Sequence, residues 1–335
     1  MRKRILLIDT FNLIIRAFAA IPTSNDNGNH DGAIRGMLQS IKILIEQFKP
    51  SIVIFCWEGK NSSKKRKKIF SGYKENRAVK KSLQKQFQWE YPEQEQESLR
   101  TQVFRIKEYF DAMPFYELEV ENCEADDVIA YISNYHFKES DKIIVSSDKD
   151  YFQLITDSVS VYRPIKKELV TKQTLLDAYK ISPQNWIMAK CLVGDNSDEV
   201  SGIDQIGMKR AIKLFPFINE EVEYNLEYLF NYSKENLIET KKSITKYYER
   251  ILEPKNKEIL ERNYKLMQLM SHQISSNGIE QIKKNILEHK VQFSNFKLRL
   301  LFMQDNYQVS NKTFLEWQQC LNPLAFQQKD VLNDF

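Results

Sequence analysis

The sequence contains no long apolar run, and this absence excludes a membrane-spanning protein. None of its 335 residues belongs to a stretch of about 18 consecutive apolar residues, the length that a transmembrane helix needs. At the start of the chain, four apolar residues at 5–8 separate the basic first residues from Asp9, too few for the core of a signal peptide. We therefore expect a soluble, cytoplasmic protein with no membrane partner.

Cysteine and histidine are scarce, with four of each, and they are scattered along the chain. They are Cys56, Cys123, Cys191, Cys320, His30, His136, His272 and His289. No Cys-x-x-Cys pair and no histidine at zinc spacing occurs, so neither a zinc site nor a Cys-His nucleophile is supported. The cysteines are interpreted as reduced core thiols.

Positive charge is concentrated in one segment, although the formal net charge is only +4. Residues 60–85 contain eleven basic residues and a single acid, Glu75, with Phe70 and Tyr73 among them. Such a block suits a phosphate backbone, and the alternative is a solvated face or a disordered loop. The candidate DNA-binding residues from this block are Lys64, Lys65, Arg66, Lys67, Lys68 and Lys80.

Short β-branched runs alternate with helical patterns in the first half of the chain. The runs at 5–8, 51–55, 142–146 and 159–162 predict buried strands, and the spacing at 33–48 and 98–113 predicts helices. This alternation predicts an α/β fold with a mostly parallel sheet wrapped by helices. We expect a catalytic domain over residues 1–180 and a helical domain over 181–335.

Acidic residues follow the predicted strands and open the helix before one of them. They are Asp9, Glu58, Asp148 and Asp150 after strands, and Glu124, Asp126 and Asp127 at the start of the helix. The carboxyl ends of parallel strands share one edge, so these groups should converge. A single acidic turn could be explained by the helix dipole, but several segments meeting at one edge favour a functional site.

Carboxylates without histidine or cysteine select Mg²⁺, with Mn²⁺ as a substitute. Two such ions can activate water and stabilise the leaving oxygen in phosphodiester hydrolysis. Asp195 and Asp198, three residues apart, repeat the spacing of Glu124 and Asp127. From the basic block, Lys74 and Arg77 are one helical turn apart and could neutralise charge on the phosphate; the alternative is ordinary backbone contact.

Two glycines, Gly202 and Gly207, bracket a predicted hairpin between helices directly after Asp195 and Asp198. The pattern resembles a helix-hairpin-helix element, in which backbone N–H groups approach a nucleic-acid phosphate. The candidate DNA-binding residues here are Gly202, Ile203, Gly207, Lys209 and Arg210.

Five segments resemble, in order and spacing, the motifs of the 5′ nuclease family: "LLIDTFNLIIRAF", "SGYKENRAVKK", "CEADDVIAYI", "IIVSSDKDYFQLI" and "LVGDNSDEVSGIDQIGMKRA". This family contains flap endonucleases, bacterial polymerase-associated 5′ exonucleases and phage enzymes, and the likeness is greatest to the RNases H of T-even phages. It covers about residues 4–215. It implies a PIN-like α/β domain, a helical arch over about 60–97 and a helix-three-turn-helix over about 186–215.

The resemblance also implies roles for individual residues. It places one metal ion among Asp9, Glu58, Glu124, Asp126 and Asp148, and a second among Asp127, Asp150, Asp195 and Asp198. Lys74 and Arg77 take the places of the arch lysine and arginine, and Arg16 that of a substrate contact. Glu58 departs from the family pattern, which has Asp there. The glycines that bracket the hairpin are intact, so a K⁺ ion held by its carbonyls is a further implied cofactor.

These observations predict a Mg²⁺-dependent, structure-specific 5′ nuclease with exonuclease, flap endonuclease and RNase H-type primer-removal activity in DNA replication. The substrates would be branched or nicked duplex DNA and RNA–DNA hybrid with a 5′ end, bound by a monomer. A PIN-type single-stranded ribonuclease and a non-catalytic junction-binding module stay open as alternatives. The apolar carboxyl-terminal segment is expected to be a packed helix or a docking tail for a sliding clamp or single-strand DNA-binding protein.

Overall fold

A computed structural model describes residues 2–75, 82–91, 93–239, 242–270, 274–288, 291–307, 310–327 and 331–335. At its centre is a six-stranded sheet with the order β3-β2-β1-β4-β5-β6, parallel except for β6, which is antiparallel to β5. The strands are β1 Arg4–Asp9, β2 Ile52–Trp57, β3 Tyr116–Glu119, β4 Asp141–Val145, β5 Val159–Arg163 and β6 Glu168–Val170. The predicted mostly parallel α/β sheet is confirmed.

The central strands are apolar on both faces because helices cover both. All six residues of β2 are buried, and Leu6 and Leu7 of β1, which point to opposite faces, are both fully buried. Strand β1 lies between β2 and β4, with Ile8 opposite Phe55 on one side and Val145 on the other. This register brings the carboxyl ends of three strands to one edge.

Helices from both halves of the chain pack against the sheet. Those of the first half are α1 Thr10–Ala20, α2 Gly32–Phe48, α3 Lys64–Ile69, α4 Gln94–Phe110, α5 Ala125–Tyr135 and α6 Lys172–Tyr179. One apolar cluster joins Leu6 and Ile8 to α1, α2 and α4, and another joins Ile5 and Leu7 to α5 and to helices beyond residue 180. The proposed domain division at residue 180 stays a prediction, since one core runs across it.

The second half is helical, with a two-stranded ribbon near its start. Its elements are α7 Pro183–Val193, β7 Gly194–Asp195, β8 Val200–Ser201, α8 Met208–Leu214, α9 Leu226–Glu239, α10 Lys242–Leu252, α11 Pro254–Met267, α12 Ser276–Leu287, α13 Asn295–Gln304 and α14 Asn311–Gln327. Short 3-10 helices occur at Asp150–Leu154, Pro216–Asn219 and Leu332–Asp334. The ribbon and its flanking helices occupy the stretch expected for the helix-three-turn-helix.

The stretch expected for the helical arch, about 60–97, includes the start of α4 at Gln94. Within the described part of the expected helical arch, α3 is the only helix before α4, and residues 82–91 form bends and irregular backbone. The tip of the arch, with Arg77 and Lys80, lies outside the described residues.

The last residues pack against the α5–β4 connection. Phe335 stacks on the ring of His136 with centroids 4.0 Å apart, and Asp334 accepts hydrogen bonds from Glu139 N and Ser140 Oγ. This packing favours the expectation of a packed segment over that of a docking tail. Among the residues that the structure describes, no helix is long and apolar enough to span a membrane.

Candidate functional site

The carboxyl edge of the sheet gathers acids from distant parts of the sequence. Asp9 ends β1, Glu58 follows β2, and Asp148 comes three residues after β4. Helix α5, which packs on β1 and β2, carries Glu124 at its N-cap and Asp126 in its first turn. We call this set the acid edge; its members are Asp9, Glu58, Glu124, Asp126, Asp127, Asp148, Asp150, Asp195 and Asp198.

Asp9 is held by three neighbours at the end of β1. Its Oδ1 accepts a hydrogen bond from Asn12 N at 3.2 Å, which caps α1. Its Oδ2 accepts from Ser146 Oγ at 3.0 Å and Tyr151 Oη at 3.3 Å. The side chain is therefore fixed in orientation at the junction of β1 and β4.

Repulsion and burial raise the pKa of several of these carboxyl groups. Burial and the charge of Asp148 raise the pKa of Asp9 to about 6, and burial and Glu124 raise that of Glu58 to about 7. Burial, with Asp148 again, raises the pKa of Asp150 to about 8. Burial also raises the pKa of Asp126 and Asp148. The acid edge thus holds more negative charge than its surroundings stabilise.

Arg66 is the main internal counterion of the acid edge. It is 2% exposed, and its Nη1 and Nη2 donate to the two carboxylate oxygens of Asp127 at 2.9 and 3.0 Å. Its Nη1 also lies 3.2 Å from Glu124 Oε2, and its Nε donates to the carbonyl of Leu266 on α11. The expectation that Arg66 contacts DNA is wrong, because its guanidinium is buried. Both oxygens of Asp127 accept hydrogen bonds from Arg66, so a metal ion would compete with Arg66 for this carboxylate, and the role of Asp127 as a metal ligand stays a prediction.

Lys74 reaches the acid edge, as its predicted role requires. Its Nζ donates to Glu124 Oε2 at 2.6 Å. The adjacent Tyr73 is buried, and its hydroxyl lies 3.1 Å from Glu124 Oε2 and 3.2 Å from Asp198 Oδ2. Tyr73 therefore lies between Glu124 and Asp198, which the resemblance assigns to the first and the second metal ion. Its position among lysines in the sequence did not reveal this role.

Lys190 lies between Asp150 and Asp195, two acids that the resemblance assigns to the second metal ion. Its Nζ is 2.8 Å from Asp150 Oδ1 and donates to Asp195 Oδ2. Burial opposes ionisation of Asp195, but Lys190 and Ser197 outweigh it, so its pKa lies below the usual range. Sequence reasoning missed Lys190. The available signal was a lysine inside the apolar helical run "WIMAKCLV", since a buried lysine needs a buried acid.

Basic side chains separate the acids in the described part of the chain. No three of the acids there are grouped as ready metal ligands. Glu124 Oε1 is among the buried oxygens that have no hydrogen-bond partner within the described residues. The possible metal ligands of the acid edge are all carboxylate oxygens. These carboxylates outnumber the basic groups Arg66, Lys74 and Lys190 that bond them.

Other predicted basic residues lie in different settings. Arg16 on α1 is half-buried and donates to Asn12 Oδ1 at 3.0 Å. Its guanidinium interacts with the charges of Asp148 and Asp9, so it borders the acid edge. On α3, the side chains of Lys64, Lys67 and Lys68 are exposed and that of Lys65 is half-buried. The predictions for Arg77 and Lys80 lie outside the described residues.

Residues 82–91, within the stretch expected for the arch, are anchored to α1. Gln84 is 1% exposed, and its Nε2 donates to the carbonyls of Phe18 and Ala19 at 3.1 and 3.2 Å. Trp89 stacks on Phe18 with centroids 6.0 Å apart, and His30 packs at 5.8 Å from Trp89. Sequence reasoning did not identify this anchor.

The hairpin after α7 depends on close backbone packing. A Cβ on Gly202 would lie 2.2 Å from the carbonyl carbon of Val193, so no larger residue fits. A Cβ on Gly207, in contrast, would meet nothing within 4 Å, and Lys209 beside it is exposed. Ile203 is 3% exposed and its side chain belongs to the core, so only its backbone could contact DNA, and its predicted role stays a prediction.

Comparison with known proteins identifies the family of this chain. The model of the 5′-3′ exonuclease N-terminal resolvase-like domain matches residues 4–180. The 5′-3′ exonuclease of Aquifex aeolicus is 29% identical over 269 residues, which cover 80% of this chain and 82% of that protein. The chain belongs to the 5′-3′ exonuclease family.

Solved structures share the fold. The 5′-exonuclease of phage T5, solved with zinc ions, has a TM-score of 0.61 at 19% identity and covers 99% of both chains. The T5 flap endonuclease in a pseudo-enzyme-product complex with DNA and metal ions has a TM-score of 0.61 at 17% identity, covering 99% of this chain and 100% of that one. At this identity the likeness concerns the fold alone.

Proposed function

We propose that this protein is a Mg²⁺-dependent, structure-specific 5′ nuclease. It hydrolyses phosphodiester bonds at 5′ ends, as a 5′-3′ exonuclease and flap endonuclease, and removes RNA primers in an RNase H-type reaction during DNA replication. The observation that carries the proposal is the acid edge, where carboxylates from five separate segments meet in excess over the basic groups that bond them.

The residues at the acid edge fit divalent cations. Burial and mutual repulsion raise the pKa of Asp9 and Glu58, so added positive charge there would favour their ionised forms. The donors are carboxylate oxygens, which Mg²⁺ prefers and Mn²⁺ accepts. The proposed ligands are Asp9, Glu58, Glu124, Asp126, Asp148, Asp150, Asp195 and Asp198. The T5 5′-exonuclease was solved with divalent zinc ions, which supports the binding of a divalent metal ion.

Each group of residues has a separate task in the proposed reaction. Two bound cations would supply charge neutralisation for the scissile phosphate and the attacking water. Lys74 holds its ammonium 2.6 Å from Glu124, and releasing this pair would let it face the phosphate instead. Tyr73 keeps Glu124 and Asp198 at a fixed separation through its hydroxyl.

Duplex binding is proposed for the hairpin, and binding of the 5′ strand for α3. Gly207 leaves open space where a phosphate could approach the backbone, with Lys209 exposed beside it. Lys64, Lys67 and Lys68 point to solvent, so they would contact the phosphate backbone without base specificity. The T5 complex with DNA supports a nucleic-acid partner.

The test is cleavage of 5′-labelled substrates in Mg²⁺ by the wild type and by Asp148→Asn. The substrates are a 5′-flap duplex, a blunt duplex, an RNA–DNA hybrid and a single-stranded RNA of equal length. We expect cleavage of the flap and the hybrid, and a loss of at least about 100-fold in the variant with binding retained. Asp157→Asn is the matched control, since Asp157 is exposed at the opposite edge of the sheet.

Three outcomes would contradict the proposal. Unchanged cleavage by Asp148→Asn would show that the acid edge is not the catalytic site. Cleavage of single-stranded RNA without cleavage of the flap would favour a PIN-type ribonuclease. Affinity for the flap in EDTA with no cleavage of any substrate in Mg²⁺ would favour a junction-binding module.

A further inference from the structure

Backbone carbonyl groups of the hairpin turn face two arginine side chains. Arg250 of α10 donates from Nη1 to the carbonyl oxygen of Asp204 at 2.8 Å and to its Oδ2 at 3.2 Å. Arg210 of α8 donates from Nη1 to the carbonyl oxygen of Gln205, and its guanidinium lies 4.5 Å from the ring centroid of Tyr247. Two consecutive carbonyls therefore each have a protein cation as partner.

Neighbouring carbonyls of the hairpin also have donors within the chain. The carbonyl of Ser201 accepts from Asn263 Nδ2 of α11 at 2.8 Å, and that of Ile203 accepts from Ile206 N at 3.0 Å. Asn263 is fully buried and donates to Cys191 O as well, at 3.0 Å. Side chains of α8, α10 and α11 thus each bond a carbonyl of the hairpin.

This arrangement does not fit the K⁺ ion that the family resemblance implies for the hairpin. A bound K⁺ replaces its hydration shell with several carbonyl oxygens directed at one point. Here the carbonyls of Asp204 and Gln205 are directed at guanidinium groups, whose positive charge would repel a second cation. The hairpin already contains the positive charge that an ion would bring.

We propose that Arg210 and Arg250 take the place of a bound monovalent ion and hold the hairpin in its DNA-binding shape. The inference rests on the proposed binding of duplex DNA by the hairpin. Arg250 acts as a positioning residue, because its charge is balanced by Asp204. The role expected for Arg210 as a phosphate contact is replaced by this contact with the hairpin.

The first test needs no variant. Binding of a fluorescein-labelled nicked duplex is measured in chlorides of K⁺ and of tetramethylammonium at equal concentration, with EDTA neutralised by tetramethylammonium hydroxide. We expect affinities within twofold of each other, and equal melting temperatures in the two salts. Binding more than threefold tighter in K⁺, or a higher melting temperature in K⁺, would overturn the proposal.

The second test separates positioning from direct phosphate contact. Arg250→Met should weaken duplex binding about tenfold while the slope of log affinity against log salt stays unchanged. Lys209→Met, at an exposed site beside Gly207, should lower that slope by about one. Arg299→Met on α13 removes an exposed charge elsewhere and should change neither. Arg250→Lys should recover most of the affinity, since an ammonium can donate to the same carbonyl.

The outcomes keep this inference apart from the proposed function. Unchanged affinity in Arg250→Met, or a slope reduced as in Lys209→Met, would overturn the positioning role. If the Met variant fails to fold, Arg250→Lys and the two-salt comparison of the wild type still decide. If no duplex binds in either salt, the proposed function fails, while the melting temperatures still test the ion requirement.

Discussion

The acid edge and the hairpin both place protein cations against oxygen atoms, but with different charge balances. At the hairpin, the backbone oxygens of Asp204 and Gln205 are neutral carbonyls, each bonded by one guanidinium, and the carboxylate of Asp204 balances the charge of Arg250. At the acid edge, the partners are carboxylates, and they outnumber Arg66, Lys74 and Lys190. Protein cations therefore satisfy the carbonyl oxygens of the hairpin but leave the acid edge deficient in positive charge.

This difference predicts opposite responses to added cations. A region whose oxygens are already satisfied gains nothing from an ion. One with surplus buried carboxylates is stabilised by any ion that binds the folded chain alone. We expect Mg²⁺ to raise the stability of the protein through the acid edge, and monovalent ions to leave the hairpin unaffected.

The largest effect is expected from Arg66→Met at the acid edge. Removing a buried guanidinium leaves Asp127 without its counterion and Glu124 with Lys74 alone, which should lower the free energy of unfolding in EDTA by about 3–5 kcal/mol. Urea denaturation measures it. The control is Arg105→Met, because Arg105 makes a similar two-pronged pair with Asp305 whose side chains, 21% and 25% exposed, are less buried than those of Arg66 and Asp127. Contact with solvent weakens an ion pair, so its loss should cost less.

A second substitution tests the cause of that loss. If the unpaired carboxylate is responsible, adding Asp127→Asn to Arg66→Met should recover part of the stability, since the amide is neutral. An equal loss of unfolding free energy in Arg66→Met and Arg105→Met, or no recovery of it in the double variant, would contradict this cause. The unpaired carboxylate would then not be the main source of the lost stability.

An intermediate effect is expected from Lys190→Met. In EDTA, the loss of the cation between Asp150 and Asp195 should lower the melting temperature by about 2–6 °C. Added Mg²⁺ should then raise it by more than in the wild type, because the uncompensated acids attract the ion more strongly. Lys172→Met, which removes a surface ion pair with Glu221, should change neither value. A smaller rise in melting temperature on adding Mg²⁺ to Lys190→Met than to the wild type would show that Lys190 positions the metal ligands.

The sequence was sufficient to predict the strands that form the centre of the sheet and the acids at their ends. Runs such as 5–8 and 51–55 are apolar on both faces, which is the pattern of buried parallel strands. Strand β3 was missed because it has four residues and carries Glu117 and Glu119 at an edge of the sheet. Short edge strands lack the apolar run that identifies central ones.

The charge partners were not predictable in the same way. A lysine-rich run such as 64–68 looks uniformly exposed, and only the packing of α3 against α11 selects Arg66 for burial. The bond from Arg250 to Asp204 joins residues 46 positions apart, and no periodicity reports it. Residue types and spacing predicted the acids, whereas tertiary packing determines which bases neutralise them.

The smallest effect is expected at the hairpin, from Asn263→Ala. The buried amide donates to the carbonyls of Cys191 and Ser201, and removing it takes this donor from both, at a cost of about 1–3 kcal/mol in urea denaturation. Because no charge is lost, the rise in melting temperature on adding Mg²⁺ should equal that of the wild type. The exposed Asn295→Ala should cost less than about 0.5 kcal/mol. A changed response to Mg²⁺ in Asn263→Ala would mean that the hairpin and the acid edge are coupled, since Asp195 and Ser201 lie in paired strands of one ribbon.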